Sequence, residues 1–91
     1  MTKTALDVVL EIYERNGYVD YFEIFYSKYT LFYSGSFYGY VYETDDPNCD
    51  DNEREITWRS FNEMLDDEIE EIGMTWREAL LATPADKVVA G

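Results

Sequence analysis

Residues 18–43, YVDYFEIFYSKYTLFYSGSFYGYVYE, constrain the fold more than any other stretch of this chain. Twelve of residues 18–42 are Tyr or Phe, and β-branched residues occupy several of the remaining positions. Rings and branched side chains suit a pleated, half-buried surface, so the stretch reads as strands. Ser27-Lys28 and Ser34-Gly35-Ser36 supply the turns, giving a meander of about three strands. Alternation in the third strand puts Phe37, Gly39 and Val41 on one face and Tyr38, Tyr40 and Tyr42 on the other. Both faces therefore carry rings.

The flanks read as helices. Over residues 4–16, Leu6, Val9, Leu10 and Tyr13 recur at helical spacing, with Asp7, Glu11 and Glu14 on the other side. Thr4-x-x-Asp7 opens that segment and Asn16-Gly17 stops it. Ile56 and Trp58 suggest a short extended piece after the acidic loop. Ser60-x-x-Glu63 then predicts a helix running to Ile72 and closed by Gly73, and Thr75-x-x-Glu78 predicts a second, short one ended by Thr83-Pro84. The expectation is one α+β domain over residues 1–91. It has an N-terminal helix, a three-stranded antiparallel meander and two C-terminal helices packed on one face of the sheet, with residues 84–91 a flexible tail.

Charge narrows the function. Twenty acids face seven bases, a formal net of −13, and His is absent. Such a chain is repelled by phosphate backbones and anionic lipid, so neither nucleic acid nor membrane is expected as a partner; basic protein surfaces are. An aromatic content of 18% excludes a disordered acidic tail. The single Cys, Cys49, forms no internal disulfide and fits a reducing compartment. The only apolar run near the start is Val8 to Leu10, too short for a signal core or a span, so a cytoplasmic protein is expected.

The stretch ETDDPNCDDNERE, residues 43–55, holds seven acids and one base. Asp46, Asn48 and Asp50 would take positions 1, 3 and 5 of a calcium loop, but positions 6 and 12, which require Gly and Glu, are Asp51 and Thr57. A solvated acidic loop is the simpler reading, and no metal or cofactor is expected. No catalytic residue is assigned either. There is no His to act as base, and the carboxylates around Cys49 disfavour its thiolate. The chain is read as a non-enzyme.

On a helix from Ser60 to Ile72, Glu63, Asp66, Asp67, Glu70 and Glu71 would share one side, with Phe61, Leu65, Ile69 and Ile72 on the other. Glu68 falls on the apolar side without explanation. Five carboxylates over about 12 Å of axis approach the charge spacing of duplex DNA. No Lys or Arg lies between Ser60 and Trp76 to pair with them, and acids in a last turn oppose the helix dipole. A helix selected for stability alone would not carry this pattern. Residues 43–71 together hold 13 acids and 2 bases. The candidate partner-binding residues are accordingly Asp45, Asp46, Asp50, Asp51, Glu53, Glu63, Asp66, Asp67, Glu70 and Glu71. Tyr38, Tyr40 and Tyr42 form a candidate aromatic interface.

In composition and element order the chain resembles the small acidic DNA-mimic proteins of phages and mobile elements. It is also similar to an acidic anti-CRISPR family that blocks Cas9. The resemblance implies an anti-defence inhibitor, of anti-CRISPR or anti-restriction type, that occupies the nucleic-acid-binding surface of a nuclease; it carries over no individual residue. An immunity or antitoxin protein masking a basic nuclease, and an adaptor that works through its tyrosine-rich sheet, are the alternatives. A monomer or weak homodimer is expected.

Overall fold

The computed structural model describes residues 3–48 and 52–91. Helix α1 (Ala5–Asn16) starts where the sequence marks it. The Thr4 side chain accepts from the Asp7 amide while the Asp7 carboxylate accepts from the Thr4 amide, which satisfies two otherwise orphaned donors. It ends at Gly17, whose left-handed backbone lets its N–H return to the Tyr13 carbonyl. The buried stripe is Ala5, Leu6, Val9 and Ile12.

The chain is α+β, and the expected antiparallel meander is present inside a larger sheet. Strands β1 (Tyr21–Tyr26), β2 (Tyr29–Ser34) and β3 (Tyr38–Glu43) pair in sequence order. The Ser27-Lys28 turn sets Tyr26 opposite Tyr29, and that register propagates across the meander. The fourth strand, β4 (Arg54–Thr57), adds to β3, and β7 (Val89–Ala90) adds to β1, giving the order β4-β3-β2-β1-β7.

One face of this sheet carries the core. Phe22, Ile24, Leu31, Tyr33 and Val41 point inward and are all but inaccessible. Against them pack α1, α2 (Phe61–Leu65) and α3 (Trp76–Leu81) through a continuous ring cluster. Phe61 stacks on Tyr13 with centroids 4.5 Å apart, Phe22 meets Trp76 edge-on at 6.0 Å, and Trp58 meets Trp76 edge-on at 5.3 Å. Burying one such ring stabilises by roughly 1.5–3 kcal/mol, so this cluster is the main tie between helices and sheet.

One expectation needs correction. The acidic helix does not run from Ser60 to Ile72: α2 stops at Leu65, and residues 68–75 form a hairpin of β5 (Glu68–Ile69) and β6 (Met74–Thr75). Continuing the helix would stack like charges three and four residues apart with no base among them, each such pair costing ~0.2–0.5 kcal/mol. In the hairpin Ile69 is buried and Glu68 faces out, so ordinary strand alternation accounts for Glu68. Gly73, at φ 69°, closes the hairpin rather than a helix; its N–H and that of Ile72 both donate to the Ile69 carbonyl. Residues 84–91, expected as a tail, hold a 3₁₀ turn (Ala85–Lys87) and β7, and Gly91 exchanges backbone hydrogen bonds with Asp20 and Tyr21. Unpaired donors and acceptors on the β1 edge are satisfied by this return.

Candidate functional site

Five of the acids of residues 43–71 (Glu53, Glu55, Asp67, Glu70 and Glu71) are gathered around β4 by the sheet and hairpin, not along a helix. Arg54 sits opposite Val41 on the inner side of β4. Its guanidinium meets the Glu71 carboxylate in a two-point contact, Nε to Oε2 at 3.0 Å and a terminal nitrogen to Oε1 at 2.7 Å. The pair is partly shielded, with side-chain exposures of 36% for Arg54 and 21% for Glu71. The hydrogen bond to Glu71 raises the Arg54 pKa, with further contributions from the charges of Glu71, Glu70 and Asp67. The same hydrogen bond holds the Glu71 carboxyl below its ordinary value despite partial burial. Three carboxylates thus surround one base at this edge.

Several of the predicted partner-binding acids have structural duties. Asp67 accepts from the Trp58 indole N–H at 2.9 Å, and its carbonyl accepts from the Trp76 amide. Asp66 pairs with Arg77 at 3.0 Å in the open. Glu63 receives the Arg59 amide at 3.2 Å, and its own amide donates to Ser60 Oγ, so it caps α2. The picture of five unpaired carboxylates on one side of a helix is therefore replaced: Glu71 and Asp66 are ion-paired, and Asp67 and Glu63 are hydrogen-bonded. Asp46 organises the loop after β3 by accepting from the Asn48 amide at 2.8 Å and the Asn52 side chain at 3.0 Å. Those hydrogen bonds, Asn52 first, lower its pKa. Asp45 and Glu70 are exposed and Glu53 is half-buried. Asp50 and Asp51, with Cys49, lie outside the described residues. Among the described residues no cluster of three or more Asp, Glu, Cys or His side chains is arranged to hold a metal ion.

Tyr38, Tyr40 and Tyr42 share the outer face of the sheet, away from the helices, and each is half-buried by its neighbours. The register gives them companions that strand composition alone did not single out. Phe32 lies opposite Tyr40, Ser34 opposite Tyr38 and Thr30 opposite Tyr42. Beyond β2 come Tyr21, Glu23 and Phe25, and beyond Tyr40 on β4 comes Glu55. The two-residue turn at Ser27-Lys28, which sets Tyr26 against Tyr29, is the sequence signal from which Phe32 and Glu23 could have been read. The rings form a strip. Tyr21 and Phe32 stack with centroids 6.5 Å apart, Phe32 and Tyr40 at 6.2 Å, and Tyr38 meets Tyr40 edge-on at 5.5 Å. Tyr40 is raised above the ordinary tyrosine pKa, first by desolvation among the rings and then by Glu55, whose carboxylate accepts its hydroxyl hydrogen bond; Glu53 adds to the shift.

Two concavities lie elsewhere. A groove of about 410 Å³ runs between the end of β1 and the C-terminal segment, lined by Phe25, Tyr26, Pro84, Lys87 and Val88. A smaller one of about 120 Å³ is lined by Tyr13, Tyr18, Tyr33, Phe37 and Phe61. No helix among the described residues is long and apolar enough to cross a membrane. No family model, curated protein or solved structure matches this chain.

Proposed function

We propose that this chain is a non-enzymatic inhibitor that covers a basic, nucleic-acid-binding surface of another protein, in the manner of a DNA mimic. The observation that carries this reading is the crowding of carboxylates at the β4 edge. Glu71, Glu70 and Asp67 all act on Arg54, which neutralises one of them, while Glu53 and Glu55 act on Tyr40 on the other side of the same strand. With a net charge of −13 behind it, such an edge steers toward a positive groove and competes there with phosphates. Among the described residues, exposed Asp45 and Glu70 and half-buried Glu53 make no salt bridge and are acids available for contact. An immunity protein masking a toxic nuclease would use the same edge.

The test is affinity capture of basic proteins at low and high salt, followed by elution with duplex DNA. The expected result is capture at low salt and release by DNA. Binding should be lost in the triple variant Asp45→Asn, Glu53→Gln, Glu70→Gln. Capture that ignores salt, DNA and the variant would remove the reading.

A further inference from the structure

Among the described residues, the helices pack with the inner face of the sheet, and the outer face carries Tyr21, Phe25, Phe32, Tyr38, Tyr40 and Tyr42. Its rings are absent from the core cluster, to which Tyr26 and Tyr29 of the same strands contribute from the inner face. Tyr21 is 39% exposed, Phe25 49% and Val89 52%. A solvent face chosen only for solubility would not keep these rings.

The register defines a row across four strands: Glu23, Phe32, Tyr40, Glu55. Two carboxylates bracket two rings, and with strands ~4.8 Å apart they stand about 14 Å from each other. No outward strand position of the described residues carries a base. Arg54 faces inward to Glu71, and Lys28 sits in the β1–β2 turn on Glu43 and over the inner ring of Tyr29.

This combination selects among occupants. A second copy would bring Glu23 and Glu55 against like charges on a molecule of equal net charge, and a nucleic acid would bring phosphates to carboxylates. A guanidinium, by contrast, can lie flat on a ring while its edge donates to a neighbouring carboxylate. An ammonium offers only the point charge. Two side chains four residues apart in an extended strand are ~13 Å apart, close to the separation of Glu23 and Glu55. We propose that this face binds an extended, arginine-bearing segment of the partner, with guanidinium groups at positions i and i+4 set on the rings of Phe32 and Tyr40 and paired with Glu23 and Glu55. The proposal rests on the basic-partner reading above and adds a second surface, with its own specificity for arginine over lysine.

The probe is a capped peptide, Arg-Val-Thr-Val-Arg, titrated into isotopically labelled protein and followed through amide and aromatic-ring NMR signals. Versions with lysine, and with uncharged citrulline, in place of both arginines are titrated in parallel. The expected result is movement of the Phe32 and Tyr40 ring signals, at least about threefold weaker binding of the lysine peptide and none of the citrulline peptide. Glu23→Gln with Glu55→Gln should weaken binding about tenfold while leaving the amide spectrum otherwise folded, and Asp45→Asn with Glu70→Gln should not. Shifts confined to Asp45, Glu53 and Glu70, equal for arginine and lysine, would overturn the proposal and leave the acidic-edge reading standing. Equal binding of the citrulline peptide would overturn it as simple apolar adhesion. Concentration-dependent ring shifts without peptide would replace the occupant by a second copy, and shifts with a single-stranded oligonucleotide would replace it by nucleic acid. No response to any probe would also overturn it, and the capture experiment then decides the acidic-edge reading separately.

Discussion

In a chain of net charge −13, removing an acid should ordinarily relieve repulsion; Glu71→Gln should do the opposite. Glu71 makes two charge-assisted hydrogen bonds to Arg54 at 3.0 and 2.7 Å. Bonds to charged groups contribute about 1.5–3 kcal/mol when shielded. With Arg54 36% exposed, water regains part of that loss, which argues against the ~3–5 kcal/mol of a deeply buried pair. Easing of repulsion with Glu70 and Asp67 returns a few tenths more. The net expectation is a loss of about 1–1.5 kcal/mol, or roughly 5–10 °C in melting temperature for a domain of this size. Thermal and urea unfolding followed by circular dichroism at low salt measure it, with exposed Glu70→Gln as the control expected to be neutral or slightly stabilising. The pH dependence supplies a second check. The Glu71 pKa is depressed in the fold below its ordinary 4.5, so its contribution is fully present above that value. It is lost as pH falls through the folded value, and the gap between wild type and variant should close in acid. A variant as stable as wild type at neutral pH would refute the bridge as a stabilising element. A gap that persists unchanged in acid would show that the loss is steric.

Gly39→Ala should cost about 1–3 kcal/mol in urea unfolding, because a Cβ there would sit 2.5 Å from the Phe32 carbonyl oxygen and 2.9 Å from the Trp58 ring. Burial, with Tyr13 nearby, pushes the Tyr33 hydroxyl up to about 12, so the folded state holds that proton more tightly than the unfolded one. Stability should therefore be intact below pH 10 and fall as pH rises toward 12, and ultraviolet titration should show Tyr33 ionising late or with unfolding. Added salt should raise the melting temperature, since screening weakens self-repulsion more than it weakens the partly shielded Arg54–Glu71 pair; a fall would mean that ion pairs outweigh repulsion.

Elements whose signals are local were legible along the chain. Thr4 with Asp7 and Thr75 with Glu78 are reciprocal caps closed within three residues, and they start α1 and α3 where composition marked them. The meander followed from rings and turns that span only a few residues. The paths of residues 66–75 and 84–91 depend instead on long-range contacts. Apolar Phe61, Leu65, Ile69 and Ile72 fit a helix by spacing, and Gly73 fits a helix end, but a hairpin satisfies the same side chains and the same glycine. The choice rests on partners distant in the chain: Trp58 for the Asp67 carboxylate, Trp76 for the Asp67 carbonyl and Arg54 for Glu71. Likewise Val89 and Ala90 have too little pattern to announce a strand, and become one because β1 offers an unpaired edge. The candidate acids were legible as composition, while their division into caps, ion pairs and free charge was not. Charge can be counted along a chain, but its pairing depends on which residues the sheet and hairpin bring within a few ångströms.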